Sequence, residues 1–437
     1  MPPSLRITAN WEHLGEGSPE ERACFAEVGI FNQNCCLTEG VDGLVNRIRS
    51  EPLLSAYHLA EWLVWNWWRL RWEPRSEASD WAFAHRMTTI GEGYAWPNIT
   101  IFSDGERTAL IAKPTTAAQT PTFRYLADVP AVVPSREFEW AVDAFIGQVL
   151  GQLDAEGLRE TNLSRLWSDL QAERHDPELG RRRKLEALLG HDPNEADPAI
   201  IDRLIVDGRD LGEKAAEELA AGGALGTIVP TIDDLTHRAD KSGYAAAPRD
   251  AVRLVANPLT TARRDEAPWA LGARAARALR AQEKLDQAPI SDARLAAFAG
   301  VEPRIIGEDR TNPDFAFSLD RNDTTGRIAL RSRWRSGRRF EIARLIGDRL
   351  FAPSGGRLHA ATRAYTYRQQ MQRSFAAELL SPFDAVEERL GGDYSSDAQT
   401  DVAEYFEVSE LTIQTLLVNH RRLERGGLDE LNLADAA

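Results

Sequence analysis

Cysteine is scarce in this chain of 437 residues. Cys24, Cys35 and Cys36 are too few for a disulfide framework, and two of them are adjacent. That excludes a stapled secreted scaffold and fits thiols kept reduced in a cytoplasm. Lysine is scarcer still for its kind: Lys113, Lys184, Lys214, Lys241 and Lys284 are all there are, against 47 Arg. The coding bias of a GC-rich bacterial genome explains such a skew. Histidine is thin and scattered. The eight His never fall at i, i+4, so no helix offers the paired imidazoles of a zinc peptidase. Long hydrophobic runs are missing too. The most apolar stretch, Leu53 to Leu70, is interrupted by His58, Glu61, Asn66 and Arg69, which makes it a poor membrane span. Met1-Pro2-Pro3-Ser4-Leu5-Arg6 leads into polar sequence rather than an apolar leader core, so a cytoplasmic protein with no membrane partner is expected.

What is present is an ordinary globular composition, 43% hydrophobic and 27% charged, long enough for two or three cores. The net charge of −15 argues against nonspecific coating of nucleic acid. Charge is unevenly spread, however. Between Arg321 and Arg373 stand 13 Arg against three acids, Asp323, Glu341 and Asp348.

Three segments are expected. Residues 1–130 hold eight of the 12 Trp and read as a small α+β domain. Leu5–Trp11 and Cys24–Thr38 read as strands, Leu53–Trp72 as a core helix apolar nearly all round, and Asp80–Met87 as a short helix. Asn98–Phe102 and Thr108–Lys113 read as a hairpin around Asp104-Gly105. Residues 131–244 read as a charged helical connector, with a short strand possible further on at Ala251–Ala256. Residues 245–437 continue with a helix Trp269–Gln282, strands Phe315–Leu319 and Arg327–Arg333, and a helix Arg339–Phe351. A loop through Pro353, Gly355 and Gly356 follows, then a helix Arg368–Leu380 and a closing helical pair, Ala398–Phe406 and Glu410–Leu423. The fold class is α+β and mostly helical.

Four blocks in order resemble the ImmA/IrrE family of zinc peptidase-like proteins, over roughly residues 265–425. They are Trp269-Ala270-Leu271-Gly272 with its following helices, the strand pair leading to Arg338-Arg339-Phe340, Phe375-Ala376-Ala377-Glu378-Leu379-Leu380-Ser381-Pro382, and Ala403-Glu404-Tyr405-Phe406-Glu407-Val408-Ser409. The resemblance implies a zincin-like fold closing in a helix-turn-helix-like pair. It also implies a metal site of two His at i, i+4, a Glu after the first, and a later acid. Here those positions hold Arg344, Leu345, Asp348 and, in the window before Phe375, Met371. A guanidinium does not ligate zinc and Leu345 takes no proton from water. Asp348 alone makes no zinc site. The peptidase chemistry is therefore expected to be lost, with no catalytic residue, metal or cofactor. The resemblance also implies a place in a stress-response or phage-defence pathway.

Three uses remain open for the Arg run. Arg344 and Asp348 could pair across one helical turn. Arg331, Arg333, Arg335, Arg338, Arg339 and Arg344 could instead form an anion-binding surface for a protein partner, a nucleotide or nucleic acid, the first three sharing one face at strand spacing. Or the patch docks on acidic helices of the same chain. In the closing pair, Ser409 is a good N-cap, and Gln414, Thr415, Asn419, Arg421 and Arg422 are the side chains a DNA-reading helix would offer. Glu404, Glu407, Glu410 and Glu424 surround them with negative charge. A separate enzyme site around His58, Glu61, His85, Arg86 and Asp104 is a further alternative, against which stands an ordinary aromatic core with turns at Gly91–Pro97 and Ser103–Gly105. The expected function is that of a non-catalytic, peptidase-like bacterial protein that acts by binding.

Overall fold

In the computed structural model, residues 4–33, 35–76, 78, 80–116, 122–226, 228–255, 266–308, 313–351 and 356–423 are described. They form a mixed α+β protein, rich in helix, with several small antiparallel sheets. None of its described helices is long and apolar enough to cross a membrane. Two units divide the chain, Met1–Pro198 and Ala199–Ala434.

In the first unit, strand Leu5–Trp11 alternates as a half-buried strand should: Leu5, Ile7 and Ala9 are buried between Arg6, Thr8 and Asn10. It pairs antiparallel with Phe25–Asn32, from Leu5 opposite Asn32 to Trp11 opposite Ala26. The expected strand over Cys24–Thr38 is broken: Cys35–Cys36 turns back onto Phe31 and Asn32. The apolar stretch from Leu53 is also divided. Leu53–Ser55 joins the sheet, and the Ser55 hydroxyl accepts from the His58 N–H to start a helix, Ala56–Trp65. Asn66 ends it, its side-chain amide donating to the Trp62 carbonyl, and Trp67–Trp72 follows as a separate helix. The expected hairpin forms as Ile99–Ser103 and Arg107–Ala112, with Val129–Pro134 as a third strand.

The helices of the expected connector are divided between the two units. Helices Ser135–Ala155, Asn162–His175 and Pro177–Leu188 bury Phe145, Ile146, Leu163, Leu170 and Ala187 in the first core. Helices Pro198–Leu211, Glu213–Gly223 and Ile232–Ser242 fall within the second unit from residue 199 onward.

The second unit is built on an antiparallel sheet in the order Tyr244–Ala246, Gly326–Ala329, Ala316–Asp320, Leu358–Ala361. Helix Arg335–Phe351 sets Ile342, Ala343, Leu345 and Ile346 into its core. Helix Tyr367–Leu380 packs against it and against Pro268–Gln282. Both contacts are close ones that need glycine. A Cβ on Gly272 would stand 2.3 Å from the Met371 carbonyl oxygen, and one on Gly347 would stand 2.7 Å from the Phe375 ring. Phe383–Leu390, Ser396–Phe406 and Glu410–Asn419 complete the unit. Residues 251–255 hold no strand, and Ala256, Pro353, Gly355 and Glu424 lie outside the described residues.

Candidate functional site

The expected strand Arg327–Arg333 stops at Ala329. Its continuation turns because the Glu341 carboxylate, two turns into the next helix, accepts from the backbone N–H groups of Arg331 and Ser332 at 2.9 to 3.1 Å. Arg331, Arg333 and Arg335 therefore share no strand face. Arg335 opens the helix instead, and Arg338, Arg339, Arg344 and Asp348 follow on it.

Asp348 is the centre of the helix's polar face and has no exposed surface. It accepts from Nε and Nη2 of Arg368, each at 2.5 Å, from His359 Nδ1 at 3.1 Å, and from the Gln372 side-chain amide. Burial by itself pushes the carboxyl up. The Arg368 guanidinium and the His359 hydrogen bond outweigh it and hold Asp348 at about 2. Asp348 in turn raises Arg368 above its ordinary value, against the lowering effect of burial. On the far side of the imidazole, His359 Nε2 lies 3.8 Å from Asp320, and Arg349 holds Asp320 through two hydrogen bonds of 2.6 and 2.9 Å. Glu218, from helix Glu213–Gly223, accepts from the Thr366 hydroxyl, and burial raises its carboxyl.

Arg344 and Asp348 do not pair directly. Arg344 Nη2 donates to the Thr362 carbonyl at 2.8 Å and to the side-chain oxygens of Gln369 and Gln372. Gln372 bridges the two charges, its oxygen toward Arg344 and its amide nitrogen toward Asp348 and the Ala360 carbonyl. Burial, then the neighbouring Arg373, pushes the Arg344 guanidinium down to about 9, still cationic at neutral pH.

Most of the remaining Arg run is spent inside the unit. Arg338 donates to the Ile305 carbonyl and the Tyr244 hydroxyl. Arg339, fully buried, donates to the Ile290 carbonyl and pairs with Asp292 and Glu407. Arg335 pairs with the same two acids at 2.7 Å. Glu407 reaches them from the left-handed conformation that ends helix Ser396–Phe406. Arg331 stands 3.8 Å from Glu341. Arg333 is exposed and has no ion-pair partner among the described residues, beside Trp334 at 79% exposure. The Trp334 loop is braced, since the Ser332 hydroxyl accepts from the Trp334 N–H. Leu345 and Met371 are buried. The residues of Tyr367–Leu380 that meet Arg344 and Asp348 are Arg368, Gln369 and Gln372, not Met371.

The residues of the expected site in the first unit are mostly engaged in local contacts. His85 is buried against the Trp81 ring, with Nε2 2.9 Å from Glu73 and Nδ1 2.7 Å from the Ile101 carbonyl. Asp104 caps the hairpin turn and pairs with Arg107. His58 stands 3.9 Å from Glu61, which accepts from Tyr57 and Asn162. Arg86 forms a β-bridge with Thr100 through its backbone. In the closing pair Ser409 caps the second helix, accepting from the Thr412 N–H. Gln414, Thr415, Asn419 and Arg421 are exposed there, and Arg422 pairs with Glu387.

The zinc that the resemblance implies does not fit these residues. Both oxygens of Asp348 are taken by Arg368, and a guanidinium stands at each flank. Among the described residues no group of three His, Cys, Asp or Glu is placed to hold a metal ion. The chain matches no protein-family model, no curated protein and no solved structure. Sequence reasoning missed Arg368, His359 and Gln372 as parts of this face. The signal was there in part: Gln369 and Gln372 stand one turn apart on a helix whose following residues, Phe375 to Leu380, are buried.

Proposed function

We propose that this is a non-catalytic protein on a zinc-peptidase-like scaffold of the ImmA/IrrE kind, acting by binding a protein partner in a bacterial regulatory or defence setting. One observation carries the reading. On the helix face that bears Arg344 and Asp348, the positions the resemblance assigns to a metal, the Asp348 carboxylate is taken up by Arg368, His359 and Gln372. A carboxylate so occupied is a structural group rather than a base awaiting a substrate.

The contact surface is the loop before that helix. Arg331 and Arg333 are exposed, Trp334 stands out between Arg333 and Arg335, and the Glu341 carboxylate fixes the backbone beneath them. An exposed Trp flanked by Arg is the side-chain set most often found to carry binding energy, and it suits an acidic segment of the partner. The test is affinity capture from the source bacterium, followed by binding of the purified, re-expressed partner. Trp334→Ala combined with Arg333→Ala weakens that binding at least tenfold. A partner that binds the double variant as tightly as wild type contradicts the reading.

A further inference from the structure

Arg344 and Arg373 are two buried or half-buried cations that the second unit leaves without a carboxylate. Both donate to the same backbone oxygen, the Thr362 carbonyl, through Nη2 at 2.8 and 3.4 Å. Arg373 also donates to the Ala364 carbonyl at 2.8 Å and lies over the Tyr365 ring. The acids on the Arg344 helix are committed elsewhere, Asp348 to Arg368 and Glu341 to the Arg331 and Ser332 backbone. No acid forms an ion pair with either guanidinium among the described residues.

The donors of Arg344 are only partly used. Arg344 is 8% exposed, and all of its hydrogen bonds leave from one nitrogen, Nη2. Its Nε is buried with no acceptor. Two like charges meeting at one carbonyl, with a buried N–H left over, are costly unless an anion completes them. Burial, then the charge of Arg373, lowers the Arg344 guanidinium, and burial lowers that of Arg373. Arg373 is only partly buried.

We propose that Arg344 and Arg373 form a binding site for a small oxyanion of the phosphate class, free or as the terminal phosphoryl group of a small molecule. Two neighbouring guanidiniums, one of them with a buried Nε that has no acceptor, match a doubly charged tetrahedral anion better than a single carboxylate. The site is separate from the Trp334 loop, so its failure and the failure of the partner-binding reading show up in different experiments.

The test uses the full chain at constant ionic strength, titrated calorimetrically with inorganic phosphate and, in parallel, with acetate. Saturable binding of one phosphate per chain is expected, with acetate at least tenfold weaker. Arg373→Gln, at the partly exposed position, is expected to weaken phosphate at least tenfold while its circular dichroism stays that of wild type. Arg344→Lys, which keeps the charge but not the fork, is expected to weaken it as well. Glycerol phosphate then tells a free anion from a phosphoryl end: binding as tight as phosphate assigns the latter, and none assigns the former. Absence of saturable phosphate binding, undiminished binding by a folded Arg373→Gln, or acetate binding as tight as phosphate overturns the proposal.

Discussion

Arg368 and Asp348 face each other side-on, Nε and Nη2 of the guanidinium each 2.5 Å from a different carboxylate oxygen, at a place where Asp348 has no contact with water. Such a pair costs much to break, because the survivor is left as a bare buried charge. Arg368→Ala is therefore expected to destabilise the second unit by roughly 3–5 kcal/mol in urea denaturation. Asp348→Asn combined with Arg368→Met removes both charges and is expected to lose distinctly less. A double variant as unstable as the single one would show that packing, not charge, dominates there.

The same pair sets a pH dependence. Asp348 titrates lower in the folded chain, at about 2, than an unfolded aspartate does. Its contribution is fully present above about pH 4 and is lost as pH falls from there toward 2, an amount on the order of 2 kcal/mol. Unfolding free energies measured across that range are expected to fall more steeply for wild type than for Asp348→Asn. Parallel slopes would remove Asp348 from the account.

The helix pair behind the site depends on a missing side chain. With the Met371 carbonyl oxygen 2.3 Å from where its Cβ would stand, Gly272→Ala forces helices Pro268–Gln282 and Tyr367–Leu380 apart. A loss of about 1–3 kcal/mol is expected from such overpacking. Thermal unfolding checks it, with an unshifted midpoint as the contrary result.

Trp334 offers the opposite case. Being 79% exposed, it is expected to change stability by no more than about 0.5 kcal/mol when replaced by Ala. A larger loss in thermal unfolding would make Trp334 a packing residue and count against its role as a contact.

Local patterns were legible in the sequence and long-range partners were not. The alternation of Leu5, Ile7 and Ala9, the Ser409 cap and the Asp104 turn rest on neighbours within a few residues, and they stand as read. The Leu53–Trp72 stretch misled because hydrophobicity alone does not say where a strand hands over to a helix; Ser55 and Asn66 decide it. The Arg run misled in a similar way. Period-two spacing suggested a strand through Arg331 to Arg335, but Glu341 draws the backbone out of the sheet. No rule of spacing shows that Arg338 and Arg339 turn inward, because their acceptors, Ile305, Ile290 and Asp292, lie over thirty residues earlier. Nor does it show that Asp348 takes Arg368, twenty residues on, in preference to Arg344 on the same helix.

The most direct test of the central claim is the zinc content of the purified full chain after equilibration with excess zinc and removal of what is loosely held, measured together with its thermal midpoint. The account predicts well under one zinc per chain and a midpoint that neither zinc nor a chelator moves. One tightly held zinc per chain, with a midpoint that falls on chelation and a partner cleaved only when zinc is present, would contradict it.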